Sequence, residues 1–395
     1  MTDDDIVLCS PVRTAIGAFN GSLKSISAIE LGGTAIRAVI ERSGLPPATI
    51  DSAIMGNVVQ AGNKMNPARQ ASIEGGLPVS VPAYTVNRVC GSGAQAVVSA
   101  ALEVKAGVAK FAIAGGMENM DRAPFLLPDG RWGHRLGAAQ ILDSMLTDGL
   151  EDAFSGKHSG WHTEDLVSIL GITREAQDEW AERSQLRFAR SQSAGHFAAE
   201  VVPLSVRDKK GVTLFEKDEA PRPQTTAEVL SKLKPAFRPD GTITAGNAPG
   251  LNSGASAMLV TTQSNARHHG VEIAAKLSGF GIAAIEPAMF GLGPVPAIDR
   301  ALAQAGWTIS DVERVEINEA YAAVPLAVIA RSGIPAELVN VDGGAIAHGH
   351  PIGATGAVLI TRLIHSMIRD GIRKGLVALC IGGGQGIAIA IEVPA

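Results

Sequence analysis

The sequence predicts an α/β layered protein, and two observations carry that prediction. Small residues dominate the 395 positions: 45 are glycine and only 4% are aromatic, a composition that suits close packing of helices on sheets. The chain also repeats itself. "AIRAVIERSGLPPATIDSAIMGNVV", starting at Ala35, aligns without a gap on "AIDRALAQAGWTISDVERVEINEAY", starting at Ala297, so that Ala35/Ala297, Ile36/Ile298, Gly44/Gly306 and Ile50/Val312 share an offset of 262. Both segments read as a helix, a glycine stop, an exposed turn and a short strand. A second pair follows, "GAQAVVSAALEVKAGVAKFAIAGGM" from Gly93 and "GAVLITRLIHSMIRDGIRKGLVALCIGGG" from Gly356. Each reads as a helix, a basic turn and a strand that ends in consecutive glycines. Two related βα-rich halves are therefore expected at the two ends of the chain, separated by a stretch with no counterpart.

The opening "MTDDDIVLCS" is acidic and has neither the basic and apolar regions of a signal peptide nor the Arg-rich pattern of a transit peptide. Three cysteines, Cys9, Cys90 and Cys380, form no disulfide framework and imply a reducing compartment, so a cytoplasmic location is expected. The net charge of −5 and the 18% charged fraction argue against a nucleic-acid partner. The apolar uncharged run at residues 376 to 391 is too short and glycine-rich for a membrane span.

Cys9 lies inside the first strand and reads as core. Cys90 differs. In "AYTVNRVCGSGAQAVVSAALE" it follows a β-branched stretch, Tyr84 to Val86, and precedes Ala94, Val97, Val98, Ala101 and Leu102 at helical spacing. At a helix entrance, unpaired N–H groups and the helix dipole favour a thiolate, and such sites bring a cysteine pKa from ~8.5 to about 3.5–7.5. Gly91 and Gly93 let another group approach the backbone.

Residues 120 to 245 are the stretch without a counterpart. They carry "RWGHRLG", "GKHSGWHTED", a helix opened by Thr173 as N-cap, and a polar run from Arg207 to Thr226. Such an insertion reads as a lid or substrate-binding subdomain.

In the second half, Asn318 and Glu319 ("EINEAYA"), His350 ("GGAIAHGHPIGATG") and Cys380 ("ALCIGGGQG") fall at predicted strand ends or on a tight loop entering a helix. If the halves pack about a pseudo-twofold axis, these ends meet Cys90. A neutral His350 would then take the Cys90 proton, the pairing of nucleophilic catalysis. Cys380 precedes Gly382, Gly383 and Gly384 and would face the same crevice. That glycine run is followed by a strand rather than a helix, so it is no dinucleotide fingerprint, and its N–H groups suit an oxyanion hole. His158 and His162 stand at i, i+4 with no third ligand evident, so no metal site is expected.

At "NRVCGSG", "AGGMENM", "TAGNAPGLNSGA", "NEAYA", "NVDGGAIAHGHPIGATG" and "LCIGGGQG" the sequence resembles the thiolase family, in particular its biosynthetic acetyl-CoA acetyltransferases, over essentially the whole chain. The resemblance implies two similar βα halves in a five-layered α/β/α/β/α arrangement. Residues 1–119 would form the first half, completed by about 246–270. Residues 120–245 would form an inserted loop domain for coenzyme A binding and oligomerisation, and residues 271–395 the second half. Acyl-CoA and coenzyme A would be substrates, with no permanently bound cofactor, and the assembly a homotetramer, a dimer of dimers.

The resemblance also assigns roles. Cys90 would carry the acyl group after losing its proton to His350. Cys380 would take a proton from the methyl carbon of a second acetyl-CoA, with His350 and a water held by Asn318 stabilising the enolate. The N–H groups of Cys90 and Gly382 would hold the tetrahedral intermediates. His158, Arg222, Ala245, Gly246 and Pro249 match positions on the coenzyme A side. Several residues depart from the family pattern: Ser159, Phe290, Leu292, Tyr321, Pro249 and Asp342. A short-chain acyl group is expected, with a longer or branched chain, as in a degradative 3-ketoacyl-CoA thiolase, as the alternative. A ketoacyl synthase would use two histidines, and Cys380 argues against it. A silent acyl-CoA-binding relative is the reading from another class.

Overall fold

The protein is described by a computed structural model covering residues 2–208 and 211–394. Its first half opens with strand β1 (Ile6–Thr14) and helix α1 (Ala28–Ser43). Ser27 caps α1 through a reciprocal bond with Glu30, and Gly44 ends it in the left-handed region at φ 68°. Then follow β2 (Ser52–Gly56), α2 (Pro67–Glu74), β3 (Ala83–Val86), α3 (Ser92–Lys105) and β4 (Phe111–Asn119). After a long excursion containing α4 (Ser159–Leu170) and α5 (Arg174–Ser193), β5 (Asn252–Thr262) completes the half.

The second half repeats the pattern with β6 (Ala275–Ala284), α6 (Pro294–Ala305), β7 (Arg314–Ile317), α7 (Ala323–Ser332), α8 (Thr355–Asp370), β8 (Lys374–Ile381) and β9 (Gln385–Glu392). Gly306 ends α6 at φ 70°, as Gly44 ends α1. The counterpart of β3 is reduced to a single bridge between Val339 and Val315.

Strand order displays the duplication. The first half runs β3-β2-β4-β5-β1 and the second β7-β8-β9-β6, and β1 meets β6 through Val7 with Lys276 and Leu8 with Ala275. Hydrogen bonding is thus continuous, yet the sheet wraps around a shared middle layer. Alternate residues of β4 show this: Phe111 and Ile113 pack toward α1 and α2, whereas Ala112 and Ala114 share a core with α3 and α8. In β8, Val377 and Leu379 join that central core, while Leu376, Ala378 and Cys380 pack outward with α6 and α7. Helices, half-sheet, paired α3 and α8, half-sheet and helices give the five layers.

The two central helices meet through glycine. A Cβ on Gly93 would lie 2.7 Å from the backbone N of Ala357, and one on Gly356 would lie 2.4 Å from that of Ala94. The approach that Gly91 and Gly93 permit is therefore made by the second half of the chain, with Ile381 against Gly91. Leu102 lies on α3 as its spacing predicts, on the exposed side. One expectation needs correction. Gly115 and Gly116 lie within β4 rather than at its end, because Cβ atoms there would collide with Ser256 and with the Gly353 carbonyl of the His350 loop.

The excursion between β4 and β5 is fastened to both halves by buried polar groups. Arg13 of β1 binds Asp218 at 2.7 and 2.9 Å and Glu200 at 2.8 Å. Glu319 accepts from Trp180 at 2.9 Å and Ser184 at 2.8 Å, both on α5. With every partner satisfied, such charges fix one docking geometry.

Candidate active site

Cys90 sits on a turn between β3 and α3. The Asn87 side chain accepts from the Val89 N–H at 2.9 Å, and Ser92 Oγ accepts from the Arg88 N–H at 2.8 Å while donating to the Val89 carbonyl at 2.7 Å. The turn forces Val89 to φ 45°, a costly conformation for a β-branched residue and a mark of functional strain. The thiol is free. Its electrostatics differ from the expectation of a lowered pKa: burial pushes it up to about 11, opposed by the N–H groups of Gly382 and of Cys90 itself, with the Glu118 charge adding to the rise. The helix entrance does not outweigh desolvation, so the resting sulfur is a thiol and needs a base.

That base has a defined tautomer. The Thr355 hydroxyl donates to the Pro351 carbonyl at 2.8 Å and lies 2.6 Å from His350 Nδ1. Its proton being spent, Thr355 accepts from Nδ1–H, and Nε2 keeps its lone pair. Burial lowers the His350 pKa to about 4, so the ring is neutral near pH 7. Asn318 Nδ2 lies 3.4 Å from Nε2, and Asn318 Oδ1 has no protein partner. The His350 N–H donates to Asn252 Oδ1 at 2.9 Å, and Gly349, at φ 104°, leaves no room for a Cβ beside Asn252.

Cys380 is fully buried in the outer core and does not itself line the cavity, unlike the expectation that it would face the crevice. Burial raises its pKa well above the usual thiol value, and charge on Cys90 raises it further, so the two sulfurs are within electrostatic reach. Gly382 does line the cavity, beside Cys90, His350, His158 and Pro249. This space holds about 400 Å³. His158 caps α4, accepting from the Gly160 N–H through Nδ1 at 3.0 Å, and stacks on Phe237 at 4.6 Å. Arg222, Ala245 and Gly246 are not on the cavity wall. Arg222 is exposed, with its N–H donated to Gln185, and Ala245 and Gly246 form the turn before the Pro249 segment that is.

Sequence reasoning left out several residues that shape the site. Fully buried Glu118 accepts from Asn57 Nδ2 at 2.7 Å and from the N–H groups of Val58 and Gly353 at 3.0 Å, so it ties β4 to the His350 loop. A charge inside the apolar "AIAGGMEN" was its signal. Glu319, which the sequence singled out beside Asn318, also accepts from Asn340 and the Ile346 N–H, and so fixes the segment bearing Asn318. Thr355 had its signal in lying one turn beyond His350. No group of three or more metal-ligating side chains occurs among the described residues.

A duplicated α/β scaffold that brings a cysteine and a neutral histidine to one cavity, with a second thiol buried within electrostatic reach behind it, defines an acyl-transfer enzyme fold with a thiol nucleophile position. Residues 6–264 match the thiolase N-terminal domain and residues 271–393 the thiolase C-terminal domain, and the chain belongs to the thiolase family. It is 47% identical over 388 residues to an acetyl-CoA acetyltransferase of Pseudomonas aeruginosa, covering 98% of this chain and 99% of that one. An acetyl-CoA acetyltransferase of Escherichia coli K12 is 49% identical over 387 residues, covering 98% of each. Among solved structures, the Bacillus anthracis acetyl-CoA acetyltransferase superposes with a TM-score of 0.97 at 39% identity, and human mitochondrial 3-ketoacyl-CoA thiolase with 0.96 at 38%, each covering 99% of both chains.

Proposed function

We propose that this protein condenses two acetyl-CoA to acetoacetyl-CoA and coenzyme A, and runs the reverse thiolysis, through an acyl group carried on Cys90. The observation that carries the reading is the His350 Nε2 lone pair, fixed by Thr355, in the same cavity as the Cys90 thiol. His350 takes the Cys90 proton as the sulfur attacks the thioester carbon. The developing oxyanion is held by the N–H groups of Cys90 and Gly382, which already bear on the Cys90 sulfur. The carbon–sulfur bond to coenzyme A breaks, and the leaving thiolate takes its proton from Cys380.

A thiolate on Cys90 would oppose ionisation of Cys380, and an esterified sulfur can carry no such charge, so the second thiolate forms once the first sulfur is acylated. Cys380 then takes a proton from the methyl carbon of a second acetyl-CoA, with His350 and a water on Asn318 receiving the enolate charge. The new carbon–carbon bond releases Cys90, which regains its proton from His350. The thioester supplies the activation, and coenzyme A and acyl-CoA act as substrates. His158 and Pro249 line the path of the pantetheine arm, with Ala245, Gly246 and Arg222 farther out along the coenzyme A.

The acetyltransferase relatives favour acetyl-CoA, and the equal likeness to a 3-ketoacyl-CoA thiolase keeps a longer acyl chain as the second reading. Residues 120–245 act as the loop domain on the two halves, 1–119 with 246–270 and 271–395. Exposed Phe125, Trp132, Leu136 and Ile141 in that domain support a homotetramer. Sparse cysteines support a cytoplasmic location. The test is the intact mass of the protein after brief exposure to acetyl-CoA. A 42 Da adduct, roughly the mass that acetylation adds, absent from Cys90→Ala, is expected. An adduct of the same mass on Cys90→Ala, or none on the folded wild type, overturns the reading.

A further inference from the structure

Two departures from the family pattern, far apart in sequence, meet in the cavity. Ser159 Oγ and the Tyr321 hydroxyl are 2.8 Å apart, and both residues line the space that holds Cys90 and His350. Tyr321 is 6% exposed, and Phe237 meets its ring edge-on at 6.0 Å. Two hydroxyls carry two protons, and their mutual bond uses one. Each has the other as its hydroxyl's protein partner, so one O–H remains to be offered to whatever occupies the cavity. The phenol also lies within electrostatic reach of both Cys90 and Cys380, since charge on either opposes its ionisation.

The surroundings narrow what that donor serves. Phe290, Phe237, Leu150, Ile352 and Met120 give apolar walls. No lysine or arginine is among the described residues lining the cavity, whereas Asp148, Glu151 and Asp152 are, so a carboxylate on the acyl chain would meet acids without a counter-charge. A plain alkyl chain would strand the donor, and a chain with an uncharged oxygen would satisfy it.

We propose that the Ser159–Tyr321 hydroxyl pair selects acyl-CoA donors whose acyl chain carries a hydroxyl group over plain alkyl and carboxylated donors of the same length. This rests on the reading that Cys90 carries the acyl group. The step itself is the same exchange: the Cys90 sulfur bonds to the acyl carbon, the bond from that carbon to the sulfur of coenzyme A breaks, and coenzyme A leaves with a proton. The chain oxygen stays unchanged and only accepts the hydrogen bond.

The test is kcat/KM for acylation of Cys90 by four probes, acetyl-, butyryl-, 3-hydroxybutyryl- and succinyl-CoA, in the wild type, Tyr321→Phe, Ser159→Ala and the double variant Ser159→Ala with Tyr321→Phe. The expected result is a 3-hydroxybutyryl over butyryl preference of roughly three- to tenfold, the range one neutral hydrogen bond supplies. It should be reduced in each single variant, which keeps one O–H, and lost in the double variant, with succinyl-CoA the poorest four-carbon donor. A wild type that does not distinguish the hydroxylated donor from butyryl-CoA overturns the proposal, as does a preference that survives the double variant, or succinyl-CoA as the best donor. The wild-type ratio decides even if a variant fails to fold. Acetylation of Cys90 with no such preference sinks this inference alone, whereas failure of every probe to acylate Cys90 removes the proposed function and this inference with it.

Discussion

The entrances to α3 and α8 occupy equivalent places in the two halves, and they are built differently. In the first half, β3 runs through a five-residue turn straight to the helix, and the turn holds a strained Val89 beside Cys90. In the second, no such strand forms. Residues 340–354 fill the space with a short helix, Ala345–His348, and a glycine-relieved loop that carries His350. The frame is shared, including buried Ala35/Ala297 and Ile36/Ile298 and glycine stops at matching positions. Reactive groups appear where the two copies diverge. Duplication supplied a scaffold with two helix entrances facing one another, and the chemistry came from making one entrance a nucleophile and the other a base.

The strongest way to break this division is to remove the nucleophile. Cys90→Ala should lower thiolysis by on the order of 10⁴-fold or more, read as loss of the acyl-enzyme mass together with turnover. Retained turnover would show that the first entrance is not where the acyl group sits. His350→Gln should cost 10²–10⁴-fold, roughly the worth of a general base, while the protein stays folded.

The acid limb of the pH profile sharpens the contrast. With the His350 pKa lowered to about 4, its base form persists below the usual histidine range, so the rate of Cys90 acylation should fall as pH drops through about 4 rather than through about 6.5. The same shift has a stability consequence. Unfolding returns the ring to its ordinary pKa, so the unfolded chain binds more protons between pH 6.5 and 4, and chemical denaturation should find the fold less stable as pH falls across that window.

Thr355 tests the tautomer. Thr355→Val should cost roughly tenfold in kcat with little change in KM, and Thr355→Ser should restore it, since the hydroxyl alone fixes Nδ1–H. A loss in Thr355→Ser equal to that in Thr355→Val would mean that the methyl group, through packing, matters instead.

The smallest effect compares the frames themselves. Gly44→Ala and Gly306→Ala each force a Cβ into the left-handed region with nothing nearby to clash, so each should destabilise by about 1 kcal/mol, measured by denaturant midpoint. Unequal losses would show that the halves are less alike than their backbones.

Much of this was legible beforehand because duplication writes the same apolar spacing and stop glycines twice, so the helices around Ala35 and Ala297 and the Thr173 cap follow from pattern alone. Cys90 and His350 were legible as reactive types at helix entrances. The electrostatics were not: the raised Cys90 pKa depends on burial by the other half of the chain, which no local spacing encodes. Nor were the Glu118, Thr355 and Ser159–Tyr321 contacts, whose partners lie between 4 and 235 residues away.

The glycine contact between Gly93 and Gly356 has a consequence for how the protein comes to exist. The middle layer belongs to neither half, since α3 shares its apolar face with α8. A chain made from its N-terminus exposes that face of α3 until the residues of α8 have left the ribosome, some 250 positions later in order of magnitude. The first half therefore cannot finish folding during synthesis, and a nascent chain halted before α8 should be held by chaperones rather than released as a folded unit.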